Sequence, residues 1–190
     1  MMFIFDTSSF VSLARYYLPF DSKVRIYQHV KSSIENGRIV LIDAVLEECR
    51  YVAGRIVVEK LDFLADKDFL KENSVPMKTK DIVPTAPVRF YNMVENNFAT
   101  PAINNLTEIQ FEKLKQEFLA SADARMVMYA YNYKHENPDS EIFIVTEETG
   151  QANDNKAFKK LPSICDQLNI PNMALPEYLD TCEDLNMSFG

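Results

Sequence analysis

The sequence predicts an α/β fold, a parallel β-sheet flanked by helices, in one domain spanning residues 1–190. Three observations predict it. Residues 2–5, 39–42 and 142–145 are uninterrupted apolar runs of strand length, as expected of strands buried on both faces. The segments between them carry apolar residues at helical spacing. The resulting order of strand, helix, helix, strand, helix calls for crossover connections between parallel strands.

The first run ends at Asp6, and Thr7, Ser8 and Ser9 then start a helix whose apolar positions are Phe10, Val11, Leu13 and Ala14. A second helix is expected over 21–36, with Val24, Tyr27, Val30 and Ile34 as its stripe and Gly37 as its stop. The run 39–42 is followed by Asp43, a capping residue, and a helix with Glu47 in its first turn. Residues 57–120 show no convincing strand. They hold a charged helical stretch (59–72), a proline-containing connection (75–87) and a helix near 107–120, which Thr107 and Gln110 open as a capping box. This middle segment is expected to be a helical insertion, such as a lid. Asp123 opens a helix to about Lys134, the run 142–145 ends in Thr146-Glu147-Glu148, and 162–168 forms a short helix. Residues 172–175 are expected as an edge strand, with Pro176 at the first position of a last helix.

Composition excludes several classes. Hydrophobic residues make up 47% and charged residues 25%, values of a folded globular chain and not of a disordered one. Four glycines and no Gly-rich phosphate motif argue against a dinucleotide or P-loop site. Three cysteines without a Cys-x-x-Cys pair, and two histidines, form neither a zinc signature nor a disulfide framework. A reducing, cytoplasmic setting is expected, with no signal peptide and no membrane span. The net charge of −8 argues against a broad nucleic-acid surface but leaves room for acids that bind divalent metal.

The acids fall in a pattern. In an open α/β sheet, ligands bind outside the carboxyl ends of the strands. Asp6 and Glu148 follow strands there and Glu47 lies one turn into the next helix, whereas Asp123 needs the fold to bring it to the same edge. Oxygen ligands of this kind suit Mg²⁺ or Mn²⁺, and acids packed together without a cation would repel one another. Each acid has a plainer reading: Asp6 and Asp123 as helix caps, Glu47 and Glu48 as a solvated first-turn pair, Glu147 and Glu148 as loop residues.

In five blocks the sequence resembles the PIN domain, in particular the PIN-like families related to the VapC toxins of toxin–antitoxin pairs. FIFDTSSFVSLA is similar to the family's strand, acid, hydroxyl and helix; VLIDAVLEEC to its second strand and acid-bearing helix; SADARMVMYA to its third acid; FIVTEETG to its strand ending in threonine and an acid. LPSICDQLNIPNMALPEYL resembles the family's C-terminal helix and strand. The matched blocks cover about residues 1–50 and 121–180, and the middle has no counterpart.

The resemblance implies a Mg²⁺- or Mn²⁺-dependent endoribonuclease. Asp6, Glu47, Asp123 and Glu148 would be the metal-binding acids, with Glu47 taken over Glu48 because its place matches the family's second acid. Thr7, Ser8 and Thr146 would be supporting hydroxyls. The fourth acid is Glu where the family has Asp or Asn, so Glu147 is an alternate. The implied partners are an RNA substrate, an antitoxin or other protein, and a second copy of the chain. Lys156, Lys159 and Lys160 are read either as contacts to RNA phosphates or as a solvated basic turn. Arg89-Phe90-Tyr91 and Arg15-Tyr16-Tyr17 are read either as base-stacking groups or as packing. The alternative function is a catalytically weak PIN-like module that binds a partner protein. A phosphatase of the haloacid dehalogenase type ranks below both, because it needs a second Asp two residues after the first, where this chain has Ser8.

Overall fold

A computed structural model describes residues 1–150 and 156–185. Strand β1 (Met2–Phe5) is the central element. Phe3, Ile4 and Phe5 are fully buried because helices cover both faces of the sheet. Helix α1 (Thr7–Ser12) follows and continues through a π turn (Leu13–Tyr17) and a 3-10 turn (Leu18–Phe20). Helix α2 (Arg25–Glu35) starts later than its periodicity predicts, because Val24 takes a left-handed conformation (φ 57°). Val24 is therefore exposed, and the buried stripe is Ile26, His29, Val30, Ser33 and Ile34. Gly37 ends this segment with φ +73°, as its stop role requires.

Strand β2 (Ile39–Val40) is shorter than the run that predicts it. Beyond it, Ile42 pairs in parallel with Met77, whose amide donates to the Leu41 carbonyl at 2.8 Å. The middle segment thus reaches the edge of the sheet although its sequence shows no strand.

After β2 come α3 (Asp43–Cys49), a 3-10 turn (Val52–Arg55), α4 (Ile56–Lys60) and α5 (Lys67–Glu72). The expected helical stretch 59–72 is thus broken at residues 61–66, where Asp66 accepts from the amides of Asp68 and Phe69 and caps α5. Helix α6 (Pro87–Met93) and α7 (Glu108–Ala120) complete the segment, and Thr107 with Gln110 forms the expected capping box. Val57, Phe63, Phe90, Val94 and Phe98 share one buried cluster with the sheet, so this segment is packed into the core.

Helix α8 (Ala122–Glu136) leads into β3 (Ile142–Val145), then α9 (Leu161–Leu168), β4 (Asn172–Met173) and α10 (Leu175–Asp180). The last strand stops before Leu175, which already begins α10, and Pro176 falls in that helix's first turn. The strands form a four-stranded, all-parallel sheet in the order β2-β1-β3-β4. Among the described residues no helix is long and apolar enough to cross a membrane.

Candidate active site

The strand order decides where a site can form. From β1 the chain moves to one side for β2 and later to the other side for β3, so the crevice between the carboxyl ends of β1 and β3 is the topological switch point. Asp6 follows β1 there and Thr146 follows β3, with the Asp6 amide donating to the Val145 carbonyl at 2.9 Å.

Asp6 occupies the cap position of α1 in extended backbone, yet its carboxylate does not cap the helix. Its Oδ2 accepts instead from Ser8 Oγ at 2.5 Å and Thr146 Oγ1 at 2.9 Å. Those hydroxyls are held in turn, since the Glu147 amide donates to Ser8 Oγ at 3.0 Å and the Glu148 amide to Thr146 Oγ1 at 3.1 Å. A buried carboxylate thus lies in a fixed hydroxyl net that orients it.

The second acid differs from the expectation. Glu48, not Glu47, is bound across the crevice, with Thr7 Oγ1 donating to Glu48 Oε2 at 2.5 Å. Successive helical residues point about 100° apart, so only one of two neighbouring acids can face a given direction. The charge of Glu48 is also one of those that act on Asp123.

Asp123 is the second residue of α8 and not its cap; Ser121 fills that role, accepting from the Ala124 amide at 3.2 Å. Burial, then the charges of Asp6, Glu148 and Glu48, push its carboxyl up to about 7, with Lys156 opposing them. The sequence left open which of the two glutamates is the fourth acid, and the two part company in space. Glu147 turns to other elements: Oε1 accepts from the Leu175 amide at the start of α10 at 2.7 Å, and Oε2 from Ser12 Oγ at 3.5 Å. Glu148 Oε2 accepts from the Leu161 amide at 3.1 Å while its charge acts on Asp123.

Asp123 and Glu148 line a cavity of about 300 Å³ together with Lys156, Lys159 and Lys160. The middle segment supplies the opposite wall through Leu114, Glu117 and Phe118 of α7. Phe118 is stacked on Phe158, with ring centroids 4.4 Å apart, and Ala99 pairs antiparallel with Phe158. The sequence did not single out Glu117 or Phe118; the only signal was the capping box that fixes where α7 begins. Phe90 is fully buried against Phe98 and Tyr131, which leaves it no free face for a base.

The carboxylates of Asp6, Glu48, Asp123 and Glu148 and the hydroxyls beside them are oxygen donors, which fits a hard divalent cation. Among the described residues, however, no three His, Cys, Asp or Glu side chains close on one point as a metal cage. Mg²⁺ commonly binds through one or two carboxylates and keeps several waters, so the donor chemistry suits it without a full cage.

The fold and site define an α/β protein with an acidic, hydroxyl-braced crevice at the sheet's switch point. A family model described as a domain of unknown function (DUF4411) matches residues 3–185, and the chain belongs to that family. No curated protein and no solved structure matches the chain.

Proposed function

We propose that the protein is a Mg²⁺- or Mn²⁺-dependent ribonuclease of PIN type. One observation carries this reading: Asp6, Glu48, Asp123 and Glu148 come from four separate elements and share one electrostatic neighbourhood at the β1/β3 crevice. Gathering three carboxylates around the buried Asp123 is costly, because their charges raise its proton affinity, and a site that binds cations gives that cost a use.

Asp6, Asp123 and Glu148 would hold the ion, with Glu48 beside them. The ion would supply charge neutralisation at a phosphodiester and a more acidic bound water. Ser8 and Thr146 keep the Asp6 carboxylate oriented, and Thr7 does so for Glu48. Lys156, Lys159 and Lys160, on the rim of the same cavity, attract the phosphate backbone to a crevice that would otherwise repel it. Phe118 gives the cavity an apolar wall.

The reading is tested by incubating the purified chain with single-stranded RNA and Mn²⁺. Cleavage that is lost in both Asp6→Asn and Asp123→Asn, with circular dichroism unchanged, is expected. Full activity in either variant, or none in the wild type, refutes it.

A second reading is a partner-binding module with little catalysis. It draws on the fact that Asp6, Glu48 and Glu148 each already accept a hydrogen bond within the protein. Mn²⁺ titration followed by thermal denaturation separates the two, because a cation bound to the folded state raises the melting temperature in a concentration-dependent way. No rise favours the module.

A further inference from the structure

The proposed nuclease needs a surface that holds the strand on either side of the cut, and an overall charge of −8 makes such a surface hard to find. One region offers exposed arginines and exposed aromatic rings together. Tyr16, Phe20 and Tyr51 are among the most exposed large side chains, at 65%, 82% and 76%. Arg15, Arg50 and Arg55 lie in the same two stretches and are exposed, with no carboxylate partner among the described residues.

The two stretches are neighbours in space. Helix α1 packs against α3, and the π turn that carries Arg15 and Tyr16 packs against α4, which continues directly from Arg55. Both stretches also start at the crevice. Thr7, which opens α1, is bonded to Glu48, and Arg50 and Tyr51 follow Glu48 by two and three residues. The rings of Tyr16, Phe20 and Tyr51 lie open to solvent and none is stacked on another ring among the described residues, so each is free to stack on a partner. Aromatic faces interleaved with unpaired guanidinium groups match a polyanion whose bases are unstacked, as in a single strand.

We propose that Arg15, Tyr16, Phe20, Arg50, Tyr51 and Arg55 form a track on which single-stranded nucleic acid lies as it leads into the acidic crevice. The inference rests on the nuclease reading for the identity of the strand. The aromatic rings stack successive bases without regard to sequence, and the arginines neutralise the phosphates between them.

The test is fluorescence anisotropy of a labelled single-stranded RNA in Mg²⁺, with Asp6→Asn as the background so that the strand stays intact. Replacing Tyr16, Phe20 or Tyr51 by Ala should weaken binding by about tenfold each. The combined Arg15→Gln, Arg50→Gln and Arg55→Gln variant should reduce the slope of log affinity against log salt by about two. All six positions are on the surface, and unchanged circular dichroism and melting temperature verify that each variant is folded.

Unchanged affinity and slope in these variants overturn the track, as does an Asp6→Asn protein that binds no strand. Self-association of the wild type in sedimentation, lost in the variants while RNA binding is untouched, also overturns it and gives the surface to a second copy of the chain. Cleavage by the unsubstituted protein is scored separately. A chain that binds along the track without cutting keeps the inference and removes the nuclease reading, and a chain whose track variants cut and bind like wild type does the reverse.

Discussion

Two aspartates in the first turns of helices, Asp43 and Asp123, meet opposite fates. Burial pushes both carboxyls up. At Asp43 the Thr79 hydroxyl and amide, the Ala44 amide and the Arg125 guanidinium outweigh that effect and hold the carboxyl below its ordinary value. At Asp123 the neighbours are Asp6, Glu148 and Glu48, and the carboxyl rises to about 7. Arg125 lies two residues from Asp123 on the same helix, yet it points to Asp43, 3.8 Å from its Oδ1. One acid is compensated from within the protein and braces the connection between α3 and the middle segment. The other faces three carboxylates, with the Lys156 charge too weak to offset them. Compensation, more than burial, separates a structural acid from a candidate site acid.

The comparison can be broken most directly at the site. Asp6→Asn and Asp123→Asn are each expected to lower Mn²⁺-dependent RNA cleavage by about a hundredfold or more, whereas Asp43→Asn should leave cleavage per folded molecule near that of the wild type. Equal losses at Asp43 and Asp123 would erase the distinction.

Stability should change in opposite directions. The carboxyl of Asp123 is raised in the folded state, so its contribution is full below its ordinary value of 3.8 and is lost as pH rises through about 7. In the metal-free protein at pH 8, Asp123→Asn should therefore stabilise, on the order of 2 kcal/mol in urea denaturation. The gain should fade as the pH approaches 4. Asp43 has a lowered carboxyl, so it stabilises above its ordinary value of 3.8 and that contribution disappears as pH falls through the lowered one. Asp43→Asn should cost about 2 kcal/mol at neutral pH, and Thr79→Val about 1 kcal/mol.

Neighbouring glutamates sharpen the same contrast on a smaller scale. Glu48→Gln should lower the titration midpoint of Asp123, read by NMR of the side-chain carboxyl, and Glu47→Gln should leave it in place. The smallest effect is expected at Glu147. Its carboxylate caps the Leu175 amide, so Glu147→Gln should cost about 1 kcal/mol of stability without changing Mn²⁺-induced thermal stabilisation.

Much of this arrangement is legible in one dimension. The strands at 2–5 and 142–145 stand where their apolar runs put them, because a strand covered on both faces needs every residue to be apolar. Asp6 and Glu148 could be placed at the carboxyl edge because the first follows its strand directly and the second lies three residues after the other strand's end. The pairing of Met77 with Ile42 was not legible, since a single bridge leaves no periodicity. Nor was the break at residues 61–66, where the tertiary packing of Phe63 and Leu64 overrides a helix-favouring composition.

The sequence by itself determined the α/β class, the central strands and the placement of Asp6 and Glu148 after them. Those features depend on local hydrophobicity and on the order of elements, which the chain carries along its length. Only the tertiary structure decided that Glu48 faces the crevice, that Glu147 turns to α10, and that Arg125 compensates Asp43 and not Asp123. It also decided that α7 walls the cavity shared by Asp123 and Lys156. Each of these depends on the direction of a side chain relative to an element distant in sequence. A step of one residue on a helix turns that direction by about 100°, and no local pattern records it.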